Sequence, residues 1–279
     1  MQKILLAVDP VNPDKNALDF ACFLGRLTRS KITGVFLEDT AAAKEPVLRK
    51  VHGMLSENFP SDKQPEECQT IDSVVEKNIT WFKEACASRE VNCKLHRDRG
   101  VPAIELLAES RFADMIVTGP DTSFNRLYEG RPTEFLKEIL MKTACPVIIS
   151  PERFGAIDEI VLAYDGSPSS IFAIKQFTYL FPQLSGRKIT LIQINKKGIW
   201  EDPDKYYLTE WLKEHYTDLH FETRKGDSDT ELFEWLFKRK NTFVVMGAYG
   251  RTTLSQFFKR SHAELLIHLL SQPIFIAHL

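Results

Sequence analysis

Apolar residues along the chain fall into compact runs that end in an acid and a turn, and the pattern occurs twice. KILLAVDP at 3–10 returns as EIVLAYDGSP at 159–168. Apolar runs without alternation predict strands buried on both faces, as in a parallel sheet. After the first run, Ala17, Ala21, Leu24 and Leu27 recur at helical spacing, and Ile171, Ile174, Phe177 and Leu180 do so after the second. The strands KITGVFLE at 31–38 and KITLIQIN at 188–195 follow, which makes each copy begin as a βαβ unit.

The agreement continues to the end of each copy. Helices carrying Val75, Ile79, Phe82 and Cys86, and Tyr207, Leu208, Trp211 and Leu212, lead to VNCKLHRDRG at 91–100 and LHFETRKGD at 219–227. Short helices are predicted to start near Pro102 and Asp229, then strands at ADMIVTG (113–119) and TFVVMGAYG (242–250). Each copy closes with a helix and a last apolar strand, CPVIIS at 145–150 and QPIFIA at 272–277. Residues 40–70 have only a short counterpart near 196–204; a helix over Glu45–Leu55 and a Pro-containing loop are expected there. Pro and Gly interrupt the pattern at 150–158, dividing the chain into 1–150 and 157–279.

Composition narrows the function classes. A net charge of −2 implies no strongly basic face, which argues against nucleic-acid binding. No apolar run reaches the roughly 18 residues of a membrane helix, and Asp9 interrupts the amino-terminal run before it could serve as a signal peptide. Five cysteines without paired spacing (Cys22, Cys68, Cys86, Cys93, Cys145) read as reduced thiols of a cytoplasmic protein. Cys93 and His96, three apart on a strand, face opposite sides and argue against zinc. No Ser-His-Asp order, HxxxH helix or complete GxxxxGK loop is present, so no catalytic apparatus is expected.

AYDGSPSS, GDSDTELFEWL, MGAYGRTTLSQFFKRSHAELL and QPIFIAHL in the second half, and VDP, RGVPAIELLAE, ADMIVTG and CPVIIS in the first, resemble the universal stress protein family over nearly the whole chain apart from 40–70. The resemblance implies two tandem Rossmann-like α/β domains, each a five-stranded parallel sheet with helices on both faces. It also implies an intramolecular pseudo-dimer whose last strands form the seam, in a stress-associated regulatory role in the cytoplasm. Some family members bind ATP through a Gly-x2-Gly-x9-Gly-Ser/Thr loop, where backbone amides and a helix amino end meet phosphate.

Carried onto the second half, the family pattern assigns Gly247 and Gly250 to the loop, Ser261 to the hydroxyl, Asp165 to the nucleoside, Ile194 to adenine and Met246 to the residue before the loop. Arg260 stands where the third glycine belongs, either obstructing the loop or meeting a phosphate with its charge. In the first half the loop fails after Gly119: Pro120 lacks an amide donor, Thr122 replaces the second glycine, and Thr133 and Glu134 stand at the helix start, Glu134 putting a carboxylate where a phosphate would lie. One nucleotide of the ATP type is therefore expected at most. A scaffold without nucleotide and a slow nucleotide hydrolase are the rival readings. Association of two chains and an unidentified protein partner stay open.

Overall fold

A computed structural model describes residues 3–39, 65–125, 129–130, 132–200, 203–247 and 271–277. The expected helix over Glu45–Leu55 and the second copy's closing helix lie outside these residues. The first half runs β1 (Lys3–Val8), α1 (Lys15–Thr28), β2 (Lys31–Asp39), α2 (Pro65–Ser88), β3 (Cys93–Gly100), α3 (Pro102–Ser110), β4 (Met115–Thr118), α4 (Glu134–Lys142) and β5 (Val147–Ile149). The second runs β6 (Glu159–Tyr164), α5 (Pro168–Leu180), β7 (Lys188–Asn195), α6 (Asp204–Lys213), β8 (Leu219–Lys225), α7 (Ser228–Phe237), β9 (Thr242–Gly247) and β10 (Ile274–Ala277).

The strands form one ten-stranded sheet in the order β3-β2-β1-β4-β5-β10-β9-β6-β7-β8. Each half is a parallel five-stranded unit with the same internal order, and the second runs across the sheet in the reverse sense to the first. Among the described strands only the seam is antiparallel, with Ile148 opposite Phe275 and Val147 opposite Ile276. What the sequence reads as two sheets meeting at their last strands is thus one hydrogen-bonded surface, because β5 and β10 each have an open edge to offer.

Alternation along the strands divides the core into two layers. Ile4, Leu6, Ile160 and Leu162 face α1, α2, α5 and α6. Leu5, Ala7, Val161 and Ala163 face α3, α4 and α7. The central strands are therefore buried on both faces, whereas β3 and β8, at the two ends of the sheet, are only half-buried and carry mostly polar residues. One helical assignment shifts: on α6, Leu208 and Leu212 are buried, but Tyr207 is exposed. At one residue from Leu208, Tyr207 lies about 100° around the helix and leaves the apolar stripe.

Candidate functional site

In each half the chain reverses its direction of travel across the sheet at the first strand. β6 is flanked by β7 on one side and by β9 on the other, so the crevice beyond their carboxyl ends is a topological switch point. Register pairs Tyr164 with Gln193, and Ala163 with Met246. Asp165, one residue past β6, is thereby flanked by the ends of β7 and β9, where Ile194, Met246 and Gly247 lie. These four predicted residues are brought to one end of the sheet; Gly250, Arg260 and Ser261 lie outside the described residues.

The turn after β6 is built by Asp165. Its Oδ1 accepts from the Ser167 amide at 3.0 Å and from the Ser167 hydroxyl at 2.7 Å. Ser167 then caps α5 by accepting from the Ser170 amide at 3.1 Å, with Pro168 in the first helical turn. Gly247 closes against that turn. A Cβ there would sit 2.6 Å from the carbonyl carbon of Ser169 and from the amide nitrogen of Ser170. Only glycine lets β9 end directly against the amino end of α5. Beside this crevice Trp200 stacks on Tyr164, with centroids 5.2 Å apart and planes 11° apart, and the Lys205 ammonium stands 5.4 Å from the Trp200 ring centroid. Sequence reasoning passed over Trp200, which has no motif, and over Ser167, which the Ser-Pro helix start does signal.

The matching end of the first half has different chemistry. Asp9 spends its Oδ1 on the amides of Val11 and Asn12. Asp14 caps α1 through the amides of Asn16 and Ala17. A Cβ on Gly119 would lie 2.0 Å from Asp14 Oδ2, so a carboxylate stands where the second half presents helix backbone. A cleft of about 530 Å³ opens here, lined by four acids (Asp9, Asp14, Asp121, Glu152) and two bases (Lys15, Arg153).

The loop after Gly119 satisfies itself. The Gly119 amide donates to Thr122 Oγ1 at 3.0 Å, and Thr133 Oγ1 donates to the Thr122 carbonyl at 2.6 Å while accepting from the Leu136 amide at 3.2 Å. The carboxylate at the amino end of α4 is not that of Glu134, which turns outward to Lys137 at 2.5 Å. It is Glu129, whose Oε2 accepts from the Glu134 amide at 3.3 Å and from Ser123 Oγ at 2.9 Å. The Asn125 side chain donates to Glu129 Oε1 at 3.1 Å. Glu129 reaches this place through the folding of the loop, which no spacing in the sequence announces.

Over 99% of its length the chain matches a crystal structure of a universal stress protein from Archaeoglobus fulgidus, of which it covers 96%, with a TM-score of 0.69 and 15% identity. The chain has the universal stress protein fold. All of it also matches 92% of a functionally unknown protein of Pseudomonas aeruginosa, with a TM-score of 0.56 and 15% identity. No family model and no curated protein matches the sequence. In this universal stress protein fold no described helix is long and apolar enough to cross a membrane, and no three described His, Cys, Asp or Glu side chains are grouped to hold a metal.

Proposed function

We propose that the chain is a tandem universal stress protein, a stress-associated regulator of the cytoplasm that takes one ATP-like nucleotide in its second half, 157–279. The observation that carries this reading is the contrast between the two switch points. In the second half, neutral Ser167 caps α5 and Gly247 lets β9 end against the helix backbone, so the crevice keeps the dipole field that favours a phosphate. In the first half, 1–150, Asp14 and Glu129 put carboxylates at the two helix starts, and the acids of the cleft outnumber its bases. Repulsion and occupied donors both work against a polyphosphate there. The regulatory reading is supported by the sequence, which holds no Ser-His-Asp order, HxxxH helix or complete GxxxxGK loop.

Two measurements test this. Denaturing the purified protein and analysing the supernatant by mass spectrometry should release a nucleotide, and calorimetric titration of the emptied protein with ATP should saturate at one per chain. Asp165→Ala should weaken that binding. Arg260→Ala should weaken it by about 1.5–3 kcal/mol if the guanidinium meets a phosphate, roughly ten- to a hundredfold; Arg260→Gly should strengthen it if the side chain obstructs. Two equivalent sites, or no binding by either the parent or Arg260→Gly, would reject the reading.

A further inference from the structure

The first turn of α3 is apolar on a face where the fold does not require it. Gly100 and Gly226 hold the same place in the two copies: a Cβ on either would meet the glutamate five residues on, Glu105 or Glu231. Counting from these glycines pairs Val101 with Asp227 and Ile104 with Thr230. The second half thus builds the same turn with polar residues, whereas in the first half Val101 is 46% exposed and Ile104 58%. Three apart at the start of a helix, these two share one face. Val101 also lines a groove of about 310 Å³ that opens between the starts of α3 and α4. Phe124 and Phe135 continue its apolar wall, their rings edge to face with centroids 4.8 Å apart. Four acids line it as well, Asp39, Glu129, Glu134 and Glu138, and none of the described residues that line it is basic. Glu129 is fixed there by the neutral donors Ser123, Asn125 and the Glu134 amide. Glu134 and Glu138 pair along α4 with the solvent-exposed Lys137 and Lys142, surface pairs of a kind that contribute little.

We propose that this groove is a docking site for a basic, amphipathic peptide segment of a partner protein. The segment seats one apolar side chain against Val101, Phe124 and Phe135 and sets lysine or arginine side chains against Glu129, Glu134 and Glu138. Charge chooses the occupant. An acidic segment would meet only carboxylates on the groove's own lining. A bare metal ion finds no described set of three ligands and would leave the apolar wall uncovered. Size makes the occupant a segment rather than a whole small ligand: about 310 Å³ is at the small end of ligand pockets and holds an anchor, while Ile104 extends the apolar surface beyond it along α3. The buried anchor supplies the affinity, and the acidic rim sets orientation and speeds the encounter. Asp227 and Thr230 remove the apolar half of this surface from the second copy, so one segment binds per chain.

The test titrates the full chain into a short fluorescein-labelled peptide that alternates leucine with lysine and arginine, and reads anisotropy. Saturation at one peptide per chain is expected, with no saturable binding of peptides that carry glutamate for the bases or serine for the leucines. Val101→Asp combined with Ile104→Thr gives α3 the residues of the second copy and should weaken binding about tenfold or more. That variant should fold, because both positions are exposed and aspartate caps a helix better than valine; an unchanged or higher melting temperature checks it. Glu138→Gln should weaken binding and flatten its dependence on salt. Failure to saturate overturns the proposal. So does binding that ignores the Val101→Asp, Ile104→Thr variant, which would be charge attraction alone, for instance to the acidic cleft beside Asp9 and Asp14. A photoreactive residue in place of Ile104 should cross-link to the bound peptide. If in the chain alone it cross-links to residues 40–64 or to a second copy, the groove is an internal or self-association contact and the proposal fails.

Discussion

One absent methyl group decides how β9 meets α5. Adding it at Gly247 places a carbon 2.6 Å from backbone atoms of Ser169 and Ser170, which cannot rotate away, so strand or helix must shift. Gly247→Ala should cost about 1–3 kcal/mol, the range for overpacking, seen as a lower urea midpoint at unchanged slope. At Gly119 the obstacle is the end of the Asp14 side chain, which can turn aside, so Gly119→Ala should cost less than Gly247→Ala. A second residue-scale test concerns acid. Glu159 starts β6 nearly buried, accepting from Thr190 Oγ1 at 2.6 Å and pairing with Lys188 at 3.2 Å and with Arg239. Burial pushes its carboxyl up, but the bonds from Thr190, Lys188 and Arg239 outweigh burial and hold it below the ordinary range. A depressed folded value gives stability that is complete above the unfolded value of about 4.3 and is lost as pH falls through the folded one. Glu159→Gln should therefore destabilise by about 1–3 kcal/mol near neutrality, and the gap between variant and parent should close in urea melts taken below about pH 4.

At the scale of elements, the first half's loop from Gly119 to α4 holds its shape through Thr133, which caps the helix and ties it to Thr122. Thr133→Val keeps the volume and removes both bonds. It should lower stability by about 1–2 kcal/mol, as lost caps do, without creating ATP binding in that half, since Glu129 and Asp14 stay; ATP titration of the variant checks this. The same loop marks how far the sequence could be read. Strands buried on both faces appear in it as bare apolar runs, so the repeat and its element order were legible from residues such as Ile4, Leu6, Ile160 and Leu162. Gly119, Pro120 and Thr122 likewise announced a turn after β4, which the bond from the Gly119 amide to Thr122 Oγ1 closes. The identity of the carboxylate at α4 was not legible: Glu134 stands at the helix start by spacing, but Glu129 is delivered there by a fold-back that depends on Ser123 and Asn125. On α6, a three- to four-residue spacing admitted Tyr207 to the apolar face, and only the contact with the sheet shows that Leu208 and Leu212 define it.

For the whole molecule the seam raises the question of whether two halves unfold as one. A chain of 279 residues exceeds the size at which all-or-none unfolding is usual, and independent units would melt separately. The seam opposes that. β5 and β10 are each buried throughout and pair only with one strand of their own half and with each other. Separating the halves would bare an edge of apolar residues on both sides. Aromatic packing crosses the same boundary: Phe20 of α1 lies 6.2 Å from Phe243 of β9 and 5.0 Å from Phe154 of the connecting segment, while Phe177 of α5 lies 5.1 Å from Phe243 and 5.4 Å from Phe275 of β10. Phe20, Phe177, Phe243 and Phe275 are all fully buried, so truncating one leaves a cavity that both halves line. Phe20→Ala should cost about 3–5 kcal/mol, as large aromatic-to-alanine changes do. If the seam couples the halves, that loss reaches beyond the half that holds the substitution. Hydrogen exchange followed by mass spectrometry should then show faster exchange in β6 and β9 as well as in β1 and β2, and thermal melting should remain one transition at a lower midpoint. Faster exchange confined to β1 and β2, with β6 and β9 unchanged, would mean that the shared sheet is a contact between independently stable units.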